Sequence, residues 1–172
     1  ALVVDGNLGP EFDDNLPLPE TSLAAYRDCG LTAIKTTLGG FNSDFESTLA
    51  EIGFYLRVLE RHGDVFMQVR HAADFAAAKR GGRIGIIFSF EGVSMLDGQL
   101  ERIQLFRDLG VRVMQLSYNT TSPFASGVLA SPPSGLTDLG RSAVEKMNEL
   151  GVAVDLSHAN PQTTSDTIAL SK

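Results

Sequence analysis

The sequence predicts an α/β fold, a (β/α)8 barrel of the TIM type present only in part, and three observations carry that expectation. First, one join recurs: "DCGLTAIKTTL", "RGGRIGIIFSF", "DLGVRVMQLSY" and "ELGVAVDLSH" each pass from a glycine straight into an apolar strand. Glycine supplies the left-handed residue that ends a helix, so each join reads as helix followed by strand. Second, these strands are apolar almost throughout, as a parallel sheet covered on both faces requires. Third, polar residues gather where the strands end: Asp5, Glu91, Tyr118 with Asn119, and Asp155 with His158. A TIM barrel carries its chemistry at the carboxyl ends of its strands.

In chain order, "LVVDG" at 2–6 reads as a first strand. A helix opens at Thr21-Ser22 and ends near Asp28, and "LTAIKTTL" follows as a strand. Ser43 starts a longer helix, with Phe45, Leu49, Ile52, Leu56 and Leu59 at three- and four-residue steps along one face. "VFMQVR" at 65–70 is a short extra strand. The basic residues Lys79, Arg80 and Arg83 flank Gly81-Gly82 at a helix end, where positive charge complements the dipole. Leu100, Ile103, Leu105 and Phe106 mark a helix over Gln99 to Leu109. Thr137 is the expected N-cap of another, with Leu139, Val144, Met147 and Leu150 on its apolar side.

A doubly wound nucleotide-binding sheet would need a glycine-rich phosphate turn after the first strand. "DGNLGPEFDDNLPLP" has neither the G-x-G-x-x-G spacing nor suitable chemistry. Five or six strands are visible, whereas a closed barrel takes about 250 residues. The expectation is therefore a single domain over 1–172 that forms the front portion of a barrel, with at least two strands absent.

Composition narrows the function classes. Net charge of −7 with no Lys/Arg run opposes nucleic-acid binding. No apolar run approaches a membrane span, no signal peptide is visible, and the expectation is a soluble protein, cytoplasmic rather than periplasmic. The single cysteine, Cys29, excludes an internal disulfide and reads as a small buried filler.

Glu91 follows directly on an apolar strand in "IGIIFSFEG", so it is either wet at the strand's end or paired, protonated or metal-bound. His158 ends the last visible strand in the same way, as a packing residue or as a ligand. Together they would converge on one barrel mouth and offer donors of the kind zinc accepts. Tyr118 and Asn119 could donate to a substrate carbonyl or oxyanion there, or simply stabilise a loop start. His62, in "LERHGDV", reads as a partner of a helix dipole, and His71 as a residue without a functional role.

With these strand ends in view, the chain resembles the membrane (renal) dipeptidase family of zinc metallopeptidases. The matching segments are "VVDG", "GIIFSFEGVSML", "LGVRVMQLSYN" and above all "GLTDLGRSAVEKMNELGVAVDLSHAN". The resemblance implies a (β/α)8 barrel with two zinc ions at its mouth, hydrolysing dipeptides and related small amides. It implies that Glu91 bridges the ions, that His158 binds the second, and that Tyr118 stabilises the tetrahedral intermediate. The family's first strand continues Asp-Gly-His-x-Asp, where this chain has Asn7 and Gly9 in place of the His and second Asp. Neither is a good zinc ligand. One zinc ion is then expected rather than two, with Asp5, Asp13 or Asp14 as the only nearby substitutes. The expected activity is metal-dependent hydrolysis of a dipeptide or similar small molecule, and the alternative is a catalytically impaired relative that binds or scaffolds. A homodimer is compatible with either.

Overall fold

A computed structural model describes residues 1–10, 12 and 15–172. Strands and helices alternate as β1 (Val4–Asp5), α1 (Glu20–Asp28), β2 (Ala33–Thr37), α2 (Phe45–Arg61), β3 (Phe66–Gln68), α3 (Ala72–Arg80) and β4 (Ile84–Phe90). A single 3₁₀ turn at Ser94–Leu96 leads to α4 (Glu101–Leu109), β5 (Val111–Gln115), α5 (Asp138–Leu150), β6 (Ala153–Asp155) and α6 (Pro161–Leu170). Every strand pairing is parallel, in the order β1-β2-β4-β5-β6, with β3 beside β4. The architecture is a partial TIM-type barrel of six strands.

The helix-to-strand joins follow from their glycines: α4 ends on Gly110 at φ 109° and α5 on Gly151 at φ 65°, both left-handed. Thr137 caps α5 as its sequence suggests, its side chain accepting from the Gly140 amide. Two helix starts differ from expectation. The N-cap of α2 is Asp44, whose carboxylate accepts from the Ser47 amide at 2.7 Å, so Ser43 lies outside the helix. Pro19 precedes α1 and draws Glu20 into its first turn, one residue ahead of Thr21.

The short β3 is an addition to the main path. β2 pairs along Gly85–Ser89 of β4, whereas β3 takes Ile84–Ile86 and β5 takes Phe88–Phe90. A strand has two edges, so β3 and β5 share the one that β2 leaves. They occupy its first and last parts in turn, and the Gln68 side chain of β3 donates to Leu109 O at the end of α4, just ahead of β5, at 3.0 Å.

Alternation sorts the two faces of the sheet. Ile34, Ile86, Phe88, Phe90 and Met114 pack under the helices, joined by Ile52, Ile103, Phe106, Val144 and Met147. The opposite face carries a smaller cluster of Ala33, Val69 and Ile87 with Val113. Counting on by twos, that face receives Lys35 and Thr37 from β2, Ser89 and then Glu91 from β4, Gln115 from β5 and Asp155 from β6. Apolar at its floor and polar toward the strand ends, it presents the mouth.

Two minor expectations are corrected. Cys29 is exposed rather than buried, since it sits at the C-cap of α1, where its thiol donates to Tyr26 O at 3.0 Å. His62 is buried at 5% exposure, and its Nε2 accepts from the Leu18 amide at 3.0 Å. An accepting nitrogen carries no proton, so His62 pins the chain before α1 and is not a cationic dipole partner.

Candidate active site

Each polar residue expected at the mouth follows a strand at the same end of the parallel sheet. Around β5 and β6 they make direct contact. Tyr118 lies three residues beyond β5, and its ring stacks on the His158 imidazole at 4.0 Å between centroids, 29° from parallel. The other partner of Tyr118 is Phe41, from the β2–α2 loop, stacked at 4.8 Å and 16°. His158 Nδ1 meets Asn119 Oδ1 at 2.8 Å. An amide oxygen can only accept, so Nδ1 carries the proton and Nε2 remains as the nitrogen able to bind an ion. The backbone contributes as well. His158 adopts φ 62°, a left-handed conformation uncommon for a residue with a Cβ, and its carbonyl accepts from the Val128 amide at 2.8 Å. Strain of this kind is held in place by its surroundings and gathers at functional positions.

Glu91 is half-buried at the end of β4. Its carbonyl accepts from Gln115 Nε2 at 3.0 Å, which ties the exits of β4 and β5 together while leaving the Glu91 carboxylate out of that bond. Gln115 donates also to Ser117 O at 2.8 Å, fixing the start of the segment that carries Tyr118.

Lys35 was not singled out in the sequence. It rises from β2 on the mouth-facing side and reaches Asp155 of β6 at 3.3 Å, spanning the width of β4 and β5. The side chains are 19% and 15% exposed. Burial works against ionisation of Asp155, but hydrogen bonds from Ser157 and the Lys35 ammonium outweigh it and hold the carboxyl below the usual range. The available signal was a lone lysine inside an otherwise uncharged strand, which needs a partner when buried.

The first strand is arranged differently from the family pattern. The Asn7 amide donates to Asp5 Oδ1 at 2.9 Å, and its side-chain oxygen accepts from Thr37 Oγ1 at 3.4 Å. Gly9 is exposed, and a Cβ there would meet nothing within 4 Å among the described residues. Asp13 and Asp14, the suggested substitutes, lie outside the described residues. Among the described residues no group of three or more His, Cys, Asp or Glu side chains is gathered closely enough to hold a metal ion. Asn7 and Gly9 thus bring no histidine or aspartate side chain to this strand end, and among the described residues the donors near the mouth fall short in number of a metal site.

His71 has a structural task. Asp74 accepts from the amides of Arg70 and His71, each at 2.8 Å, and closes the start of α3.

A partial parallel barrel whose polar side chains lie beyond the strand ends, with an oriented histidine and a carboxylate among them, has the arrangement of a TIM-type barrel mouth. Comparison with known proteins makes this specific. A family model described as membrane dipeptidase (peptidase family M19) matches residues 21–172, and the chain belongs to that family. It is 34% identical over 131 residues to an uncharacterized dipeptidase of Schizosaccharomyces pombe, covering 73% of this chain and 31% of the yeast protein. An amidohydrolase from Pseudomonas aeruginosa superposes with a TM-score of 0.85 at 28% identity, covering 99% of this chain and 50% of the other. A metallo peptidase from Rhodobacter sphaeroides, solved with a phosphinate mimic of the dipeptide L-Ala-D-Ala, shares the fold at 18% identity with a TM-score of 0.81, covering 99% and 62%. The chain thus spans about half the length of the Pseudomonas protein. No helix among the described residues is long and apolar enough to cross a membrane.

Proposed function

We propose that the protein is a metal-dependent dipeptidase-type hydrolase, cleaving a dipeptide or similar small amide, with one zinc ion at its mouth. Family membership supports the reaction class, and the 2.8 Å contact of His158 Nδ1 with Asn119 Oδ1 is the observation that carries the site. Glu91 and His158 would hold the ion, together with at least one ligand from outside this chain, since three or four protein ligands are usual. When bound, such an ion supplies an activated water and polarises the scissile carbonyl.

The remaining tasks fall to this chain's side chains. Asn119 keeps His158 in the tautomer that presents Nε2, as groups behind a metal ligand commonly do. It is a positioning residue in this reading. Tyr118, its ring held between Phe41 and His158, offers a phenol to the oxyanion that forms when the carbonyl is attacked. The ion pair between Lys35 and Asp155 braces β2 against β6 beneath these groups and keeps a net-neutral floor under the reaction.

A second reading rests on Asn7 and Gly9: a relative that retains the barrel and binds without catalysis. The two separate on the protein in full length. Elemental analysis should find about one zinc per chain, a small dipeptide panel should be turned over, and Glu91→Gln or His158→Ala should abolish both. Folded protein that neither holds metal nor cleaves any dipeptide would favour the binding reading.

A further inference from the structure

A cavity of about 730 Å³ opens beside the stacked rings. Its walls come from the loops after β2, β4 and β5, and it shares Tyr118 and Asn119 with the candidate site. Volume in this range is ordinary for a pocket that encloses a small organic ligand.

The chemistry of the lining decides what would fit. Phe41, Val93, Leu116, Phe124 and Leu129 supply its apolar surface. Three of the polar side chains around it are engaged elsewhere, while the buried Ser117 hydroxyl has no hydrogen-bond partner among the described residues. Ser94 donates to Ser43 O at 2.8 Å, Ser122 donates to Leu116 O at 2.7 Å, and Asn119 holds His158. Among the described residues no Lys, Arg or His lines the cavity, and its only charged side chain is Asp97, which is 79% exposed. An acidic group entering here would find no cation in the lining; the one carboxylate at the rim, Asp97, lies 3.9 Å from the Arg102 guanidinium, which is spent on that pair. An apolar group would cover Phe41 and Leu129, which are 50% and 69% exposed.

We infer that this cavity receives an uncharged, apolar side chain of the substrate, aromatic rings included, and that it sets a preference against acidic residues. The inference rests on the proposed hydrolase reading for the word substrate, but the pocket's selectivity is measurable without turnover. Continuity is the reason for assigning it to the ligand rather than to a separate partner. Tyr118, whose ring stacks on His158, also lines the cavity, so a molecule bound at His158 lies next to the opening.

The test uses calorimetry on the protein in full length, with N-acetyl-phenylalaninamide and N-acetyl-aspartamide as probes. The phenylalanine probe should bind, and the aspartate probe should not. Leu129→Arg should weaken the first by about tenfold, the order of effect that pocket contacts carry, and should admit the second. Leu129→Ala should weaken the first alone. Leu129 is a rim residue 69% exposed, so the variants are expected to fold. Absence of phenylalanine-probe binding, or binding indifferent to both substitutions, would overturn the inference. Alanyl-alanine turnover in the same preparation reports the hydrolase reading separately. Turnover without probe binding refutes the pocket alone, whereas Leu129-dependent binding without turnover of any dipeptide retains the pocket and removes the hydrolase.

Discussion

Replacing Lys35 with Met should destabilise the protein by roughly 2–3 kcal/mol, between the values for exposed and buried ion pairs. At 3.3 Å and an effective dielectric of about 20, the two charges attract by about 5 kcal/mol before desolvation is subtracted. Fully exposed pairs retain about 0–1 kcal/mol of such attraction. Loss of one partner from a buried pair costs about 3–5 kcal/mol, because the other charge is stranded. Side chains 19% and 15% exposed stand between these limits, nearer the buried one. The decisive comparison is the double variant Lys35→Met with Asp155→Asn. It leaves no stranded charge, and should recover at least about 1 kcal/mol relative to Lys35→Met alone.

Acid sharpens the test. The Asp155 carboxyl is held below its ordinary value, near 3.8, so its contribution is complete above that value. It is lost as pH falls through the lower folded value. Burial is the largest influence on this group and opposes ionisation. Without Lys35 the loss should therefore begin at higher pH. Urea unfolding of the full-length protein, followed by circular dichroism between pH 3 and 7, reads both effects. If Lys35→Met, Asp155→Asn and the double variant all fall within about 0.5 kcal/mol of wild type, the pair behaves as a surface contact and the reasoning fails.

His62→Ala should cost about 2–4 kcal/mol, since it strands the buried Leu18 amide and opens a void, while metal content per folded molecule stays unchanged. Asn119→Ala should release the His158 tautomer and weaken zinc binding by about 10–100-fold, measured by competition with a chelator, with little loss of stability. Asn7→His combined with Gly9→Asp should add a second zinc ion and raise dipeptide turnover; two bound ions without a gain in turnover would show that the metal position is repairable but that dipeptides are not the substrate. Thr137→Ala should cost about 1 kcal/mol by removing the N-cap of α5, read from thermal unfolding.

What the sequence disclosed was whatever depends on neighbours along the chain. A glycine followed by a branched apolar run specifies its own join, so the strands around Ile86, Met114 and Val154 were legible with their polar ends, and Thr137 was legible as a cap. Contacts across the fold were not. Lys35 meets a carboxylate 120 positions away, and His62 accepts from an amide 44 positions away. Neither partner leaves a mark on the local pattern. The same limit applies to Asn119, which as a loop residue could have faced substrate and in the fold faces His158. The placement of β3 against half of β4 follows from a register that no single segment encodes.

The first strand shows why this distinction matters for function. A lost metal position can follow from a rebuilt backbone or from exchanged side chains, and the two have different consequences. At Asn7 the amide is held by Asp5 and the side chain by Thr37, so the strand end is fixed by its own polar contacts. Gly9 does not use the left-handed region that would exclude aspartate, and among the described residues nothing stands within 4 Å of where its Cβ would be. Nothing in the backbone there requires glycine. The departure from the family's Asp-Gly-His-x-Asp pattern is thus one of donor atoms, carried by a strand that still ends at the mouth. Chemistry at this site is set by which side chains the strand ends carry, while the larger part of the apolar packing lies on the other face of the sheet.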